Sequence, residues 1–298
     1  MKYAFIERHR KQWPVSEQCR VLEVSTSGYQ HYRSRQEGQR RIKGQGRLTD
    51  AALLAHVRAS FAASKASYGW PRIWRDLRAQ GYRVGKERVR KIMSRNNIMV
   101  RPKRRFKVTT DSNHRLPIAD NVLDRRFQVE APDTVWTGDI TYIWTKEGWL
   151  YLAVVLDLFS RRIVGYALNA TMTSQLVCDA LRMATLRRRP PGGLIFHSDR
   201  GSQYASKAYS TMLKSYGMVA SMSRRGNCWD NAVTESLFGS LKTERLDDYE
   251  FDTHRAAKDQ VIDWITFYNH RRLHSTLGYL SPMAFEANWQ TAEMPKVA

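Results

Sequence analysis

The chain has 298 residues, 42% of them hydrophobic, and a formal net charge of +21, enough apolar material for a sizeable core and too much for a disordered chain. Its three cysteines, Cys19, Cys178 and Cys228, are scattered without a CxxC pair, which argues against a disulfide framework and for a reducing compartment. The longest apolar run, Trp149 to Leu156, is too short to span a bilayer and no secretory signal opens the sequence, so no membrane partner is expected and the expected place of work is the cytoplasm, at the nucleoid.

The charge is one-sided. Residues 1–110 hold 27 Lys and Arg against 7 Asp and Glu, whereas residues 111–298 hold 22 against 21. That is the footprint of a nucleic-acid-binding arm. In residues 1–46, Pro14 can open a helix running through Cys19 and Leu22; Ser25-Thr26-Ser27-Gly28 then breaks it and caps a second one with Tyr29, Tyr32, Arg33 and Arg35. Residues 47–100 hold a second helix-turn-helix outline, starting at Tyr68-Gly69-Trp70-Pro71. Ile73, Trp74 and Leu77 form its first apolar stripe, Gly81 ends that helix, and a helix from Lys86 turns Val89, Ile92 and Met93 inward. Arg88, Arg90, Lys91 and Arg95 are then left facing out, with Arg88 and Lys91 as candidate DNA contacts. Residues 101–131 read as a basic linker, whose Arg104 and Arg105 suit a phosphate backbone.

From Thr134 the periodicity changes to that of strands. Val135 to Ile143, Trp149 to Leu158 and Ile163 to Leu168 are joined by links short enough for hairpins, which predicts three antiparallel strands. Thr173 can cap a helix with the stripe Leu176, Val177, Ala180, Leu181 and Ala184. A short strand Leu194 to Phe196, a helix Ser206 to Tyr216 and a strand Met218 to Met222 follow. The expected fold is α/β: a mixed five-stranded, ribonuclease-H-like sheet flanked by helices over residues 132–250, preceded by an all-α helix-turn-helix region. Residues 251–298 are read as a C-terminal helix and tail, with Ala257, Val261, Trp264, Ile265 and Tyr268 as the apolar stripe.

Three carboxylates stand out, separated by 59 and 35 residues: Asp139, Asp199 and Glu235. Asp139 interrupts an otherwise apolar strand, where a charge needs a reason. Asp199 follows a strand at a carboxyl edge, where open α/β sheets bind ligands. Glu235 lies on a helix that buries Val233, Leu237 and Leu241, and at roughly 100° per residue Lys242 falls on the same outer face as Glu235. Carboxylates that converge repel one another unless hard divalent cations, Mg²⁺ or alternatively Mn²⁺, neutralise them, and two such ions can organise in-line attack on a phosphodiester. Asp157 is a rival strand carboxylate.

Four motifs in order carry a resemblance. Thr137-Gly138-Asp139-Ile140-Thr141, His197-Ser198-Asp199-Arg200-Gly201-Ser202-Gln203-Tyr204, Asn227-Cys228-Trp229-Asp230-Asn231-Ala232 leading to Glu235, and Tyr268-Asn269-His270-Arg271-Arg272-Leu273-His274 resemble the B-frame transposases of the insertion-sequence-three family, whose catalytic core is similar to retroviral integrase. The resemblance implies that Asp139, Asp199 and Glu235 are the catalytic, metal-holding DDE residues and that Lys242 approaches terminal bases. It further implies that one strand is nicked at each element end and the 3′-hydroxyl joined to DNA, commonly through a circular intermediate, by a dimer or larger assembly. An upstream A-frame segment supplied by frameshift fusion is a further implied partner. The zinc module of integrases has no counterpart in the scattered cysteines.

Other residues stay open at this stage. Arg224 and Arg225 can hold phosphates on a loop or be solvated; His197 can orient Asp199, touch DNA or pack; His270 and His274 have metal-ligand spacing but Arg271 between them, which favours phosphate contact by the Arg-rich helix end. The alternatives to a transposase are a structure-selective nuclease on the same fold and a non-catalytic DNA-binding regulator.

Overall fold

The computed structural model describes residues 2–42, 48–100, 116–224, 228–247 and 249–293. Arg104, Arg105, most of the basic linker's charge and Arg225 lie outside the described residues. Three helices lead the chain: α1 (Lys2–His9), α2 (Val15–Val21) and α3 (Thr26–Ile42), packed around Ile6, Cys19 and Tyr29. Pro14 stands at the N-cap of α2 as its fixed φ suggests. Three more follow, α4 (Asp50–Ala63), α5 (Trp70–Ala79) and α6 (Lys86–Arg95), around a second core of Leu53, Val57, Ile73, Leu77, Val89, Ile92 and Met93. The expected pair α5 and α6 is present, turned by Gly81 at φ +91°, a conformation that glycine adopts freely. Helix α4 was not expected from periodicity, yet Thr49 caps it by accepting from Ala52 N, with Asp50 in the first turn; that cap ahead of an Ala- and Leu-rich run was the available signal.

The sheet then forms from β1 (Val135–Thr145), β2 (Gly148–Asp157) and β3 (Ile163–Asn169) as an antiparallel meander. Helix α7 (Ser174–Arg188) crosses to β4 (Ile195–Ser198), and α8 (Lys207–Ser215) leads to β5 (Val219–Met222). Both β4 and β5 are parallel to β1, giving the order β3-β2-β1-β4-β5. This is the mixed ribonuclease-H-like sheet that the element order predicts. The chain continues through α9 (Ala232–Leu241), a π-helical turn over Lys242–Leu246, α10 (His254–His270) and α11 (Pro282–Glu293).

Helices cover both faces, so the central strands are apolar on both sides. On one face α7 and α8 bury Leu176, Val177, Leu181, Tyr209 and Leu213 against Trp136, Val155, Val164 and Phe196. On the other, α9 and α10 bury Leu237, Leu241, Val261 and Trp264 against Ile143, Leu152, Val154 and Ile163. The stripe expected on α10 thus packs into the same core as the sheet. Asp157 is no rival for catalysis: fully buried, it accepts from Asp133 N (2.8 Å), Ser160 N (2.8 Å) and Ser160 Oγ (2.9 Å) and closes the β2–β3 turn. Among the described residues, no helix is long and apolar enough to cross a membrane.

Helix α7 lies so close to β3 that a Cβ on Gly165 would sit 2.3 Å from Ala180 O and 2.8 Å from Ala184 Cβ. Backbone cannot yield as a side chain does. Gly165→Ala should therefore cost about 1–3 kcal/mol, read as a lower urea midpoint with the circular dichroism spectrum retained.

Candidate active site

Parallel register brings Asp139 and Asp199 together. The β1–β4 ladder runs from Val135↔Ile195 to Gly138↔Ser198, and each carboxylate belongs to the next residue along its chain. Neighbouring strands lie about 4.8 Å apart, so the two acids stand side by side at one edge. Gly138 permits this packing, because a Cβ there would lie 2.7 Å from Phe196 Cζ. Ile140 N donates to Asp139 Oδ1 (2.7 Å) and Gly201 N to Asp199 Oδ1 (2.9 Å). Asp139 keeps part of its surface open at the mouth of the site, but protein packed around its carboxylate raises its pKa well above the usual value. Asp199 adds to that rise and Glu235 less so, while Ile140 N and Lys242 oppose it.

Glu235 enters from the other face, in the first turn of α9. Its pKa is raised by burial. The start of α9 is fastened beside Asp139: Thr234 and Thr137 share a buried hydroxyl–hydroxyl hydrogen bond (2.9 Å), and Thr234 Oγ1 donates to Asn231 Oδ1 (3.0 Å). Just upstream, Asp230 accepts from Asn121 Nδ2 (3.0 Å), Arg125 Nε (2.9 Å) and Arg224 N (2.9 Å). Burial works against its charge, and Arg224 N together with the Arg125 and Arg224 side chains holds its pKa down to about 2. Besides Leu237 and Leu241, α9 buries Thr234, Phe238 and Ser240, so it is enclosed on more sides than a two-faced helix. Lys242 opens the π-helical turn with Nζ 4.9 Å from the Tyr142 ring centroid; burial lowers its pKa, opposed by Asp247 and Asp139.

Among the described residues, no three His, Cys, Asp or Glu side chains lie close enough to enclose a metal ion together. The donor chemistry nonetheless fits a hard divalent cation: the converging groups are carboxylates, and the repulsion that raises Asp139 is what such an ion relieves.

Other residues singled out from the sequence are placed elsewhere. His197 corrects the expectation of a DNA contact: it is fully buried, hydrogen-bonded through Nδ1 to Ser221 Oγ (2.9 Å) and Nε2 to Ser223 Oγ (3.2 Å). Arg88 is committed inside its own domain, donating to Asp50 Oδ1 (2.8 Å) and Leu48 O (2.5 Å). Lys91 is exposed on α6. Arg224 pairs with Asp124 (2.7 Å) and Asp230 (3.2 Å), anchoring the approach to α9. Helix α10 ends at His270, so His270 and His274 do not share a helix face, and His274 hydrogen-bonds Thr276 Oγ1 (2.8 Å) instead. Arg272 is likewise buried rather than presented to phosphate.

Its partner, Glu244, has no marker in the sequence. Glu244 accepts from Arg272 Nε (3.0 Å) and Nη2 (2.7 Å) and from Trp264 Nε1 (3.0 Å), with Arg72 of α5 3.7 Å away. Arg272 also donates to Ser240 Oγ (3.2 Å). The π-helical turn carrying Lys242 is thereby clamped to α9, α10 and the second helical unit. Breaking a buried pair by removing one partner strands the other charge, so Arg272→Met should cost about 3–5 kcal/mol in a urea titration.

Burial pulls the pKa of His197 down to about 4. The unfolded chain takes up that proton near pH 6.5 and the folded state resists it, so stability present above about 6.5 is lost as pH falls toward 4. His197→Gln should remove that part of the decline, on the order of 2 kcal/mol between pH 7 and 5, when urea midpoints of the two proteins are compared.

A mixed sheet with carboxylates beyond paired strand ends and on the helix laid across it defines a ribonuclease-H-like enzyme of the polynucleotidyl transferase class. The integrase core domain family matches residues 129–228 and again 216–282, and an HTH-like domain family matches residues 48–106, over α4 to α6. The chain is 40% identical over 287 residues to transposase InsF for insertion sequence IS3A of Escherichia coli (strain K12), covering 96% of this chain and 98% of that protein. It is 41% identical over 272 residues to an uncharacterized 31 kDa protein of insertion element IS600 from Shigella sonnei, covering 91% and 98%. Among solved structures, the HTLV-2 integrase catalytic core domain in complex with magnesium aligns at 20% identity and a TM-score of 0.43, over 52% of this chain and 97% of that one. The chain belongs to the insertion-sequence-three family of transposases.

Proposed function

We propose that Asp139, Asp199 and Glu235 form the catalytic centre through which this transposase nicks the ends of an insertion sequence and joins the resulting 3′-hydroxyl to DNA. The observation that carries the reading is the β1–β4 register that sets Asp139 beside Asp199, with the helix of Glu235 tied to β1 through Thr234 and Thr137; the raised pKa of Asp139, from burial and then from Asp199 and Glu235, agrees with it. Acids assembled against their own charge mark sites with work to do.

The first step hydrolyses a phosphodiester to a 3′-hydroxyl and a 5′-phosphate monoester, and the second exchanges one phosphodiester bond for another. An oxygen nucleophile, first water and then the 3′-hydroxyl, gives up its proton and forms a P–O bond as the opposite P–O bond breaks. The three carboxylates would hold divalent cations, two Mg²⁺ in the fullest form of the reading, which supply charge neutralisation at the attacking and leaving oxygens. Lys242, facing Asp139 from the π-helical turn, would hold the adjoining phosphate, and the exposed Lys91 with the basic N-terminal third would bind flanking DNA. Holding two element ends at once calls for at least a dimer, and an upstream A-frame segment would complete end recognition.

End oligonucleotides incubated with Mg²⁺ should give nicked and then joined products, and Asp199→Asn or Glu235→Gln should reduce joining at least a thousandfold. Retained joining in either variant overturns the assignment; cleavage without joining points to a nuclease. Stability gives a second readout. With Asp139 raised, the metal-free folded protein holds a proton that the unfolded chain releases near pH 4, so stability falls as pH rises above that value. Asp139→Asn should remove this fall and leave the metal-free variant more stable than wild type at neutral pH, while abolishing joining.

A further inference from the structure

Beta strand β1 has an uneven edge. β2 pairs with it from Trp136 to Thr145, but β4 covers only Val135 to Gly138. Among the described residues, that side of β1 has no strand neighbour from Asp139 outward until Thr145 bridges Phe251, where Lys146 N donates to Phe251 O (2.9 Å). At roughly 3.4 Å per residue, the open edge leads about 17 Å from Asp139 to Trp144. There it meets a cavity of about 540 Å³ lined by Tyr142, Trp144, Lys146, Trp149, Lys242 and Tyr249, among others.

The lining is aromatic and open. Trp144 is 59% exposed, Trp149 44% and Tyr249 53%. Trp149 meets Trp144 edge-on at 4.8 Å and Tyr142 at 5.1 Å, while Tyr249 stacks on Phe251 at 5.8 Å. Exposed indoles in a group are costly on a free surface and mark a contact. The charges do not describe a phosphate track: Lys146 is paired with Asp252 (2.6 Å), and Asp247 and Glu250 line the cavity beside Lys242. Ring faces in a cavity of balanced charge suit a nucleobase freed from its pair, because stacking is available to every base and needs no phosphate. Lys242 lines the cavity above the Tyr142 ring and is near enough to Asp139 for its charge to oppose the rise of that acid's pKa.

We propose that this cavity receives an unpaired base of the DNA strand engaged at Asp139 and Asp199, stacked against Trp144 and Trp149. The inference rests on the transposase reading for its ligand, and its test separates the two. Full-length protein is titrated with a duplex that carries 2-aminopurine in a short frayed end, and with the same duplex fully paired. Wild type should quench the probe in the frayed DNA. Trp144→Ala and Trp149→Ala should weaken binding of the frayed duplex about tenfold and of the paired one less than twofold, with Trp144→Phe retaining most of the affinity. Equal affinities of wild type and both alanine variants for frayed DNA, or equal losses on both DNAs, overturn the cavity assignment. Mg²⁺-dependent joining is assayed on the same preparations: joining without a Trp144-dependent preference removes the cavity alone, whereas Trp144-dependent binding without joining removes the transposase centre and leaves the cavity.

Discussion

Two carboxylates set one residue beyond the same parallel ladder repel each other, and the site is arranged around that repulsion. At a separation near 4.8 Å and an effective dielectric of about 20, the unscreened cost is on the order of 3 kcal/mol. Burial of the Asp139 carboxylate raises its pKa most, Asp199 raises it further, and the hydrogen bond from Ile140 N opposes both without cancelling them. The rest of the local structure holds the acids there regardless. Gly138 lets Phe196 close over β1, Thr137 and Thr234 tie Glu235's helix to the strand that carries Asp139, and Asp230, with Arg125 and Arg224 on it, fixes the turn where that helix begins. A fold that maintains such a conflict keeps binding energy in reserve for a cation, and the family to which the chain belongs has divalent-metal chemistry to use it.

The second constraint lies behind the site. Glu244 and Arg272 are both nearly sealed from water, with side-chain exposures of 8% and 5%, and burial of a single ion pair gives little net stability. Its consequence is positional. Glu244 sits in the π-helical turn two residues after Lys242, and its partners come from α10 and the segment after α10, with Arg72 reaching in from α5 and Arg272 also donating to Ser240 of α9. Tyr68 adds a second tie, donating to Arg271 O (3.0 Å) and accepting from Leu273 N (2.8 Å). The second helical unit and the catalytic face are therefore joined by buried polar contacts rather than by exposed pairs such as Lys65–Asp263, which are worth little.

How much of this was legible in the sequence follows from the range of the interactions. Strand alternation and hairpin-length links are local, so β1 to β3 were readable from Val135 to Leu168, and the apolar stripe of α7 located its buried face. Asp139 and Asp199 were readable as anomalies because each breaks its own context. Their adjacency depends on a register between strands that local patterns do not encode, and the four motifs supplied it only through family resemblance. Helix α4 went unread because Ala and Leu fill so much of its surface that no stripe stands out, although Thr49 and Asp50 marked its start. The π-helical turn and the Glu244–Arg272 pair were invisible for a different reason: a charge pair 28 residues apart has no periodicity, and Arg272 looked like a phosphate contact until burial identified its partner. His197 was ambiguous for the same reason, its two serine partners lying on and beyond β5.

A cluster of carboxylates repels a phosphodiester as surely as its members repel one another, so affinity for DNA has to be generated away from the chemistry. The distribution of charge answers to that requirement. Residues 1–110 carry nearly all the excess of the +21, and the remainder of the chain is close to neutral. Long-range attraction belongs to the helical third, where screened Coulomb forces concentrate DNA without drawing phosphates out of line at the acids. Close to the acids the charges are few and mixed: one lysine held over a tyrosine ring, with Asp247 and Glu250 near it, and a group of exposed aromatic faces. Charge is separated in this way along the chain, so the face that carries the three carboxylates lies outside the basic third that would draw a polyanion.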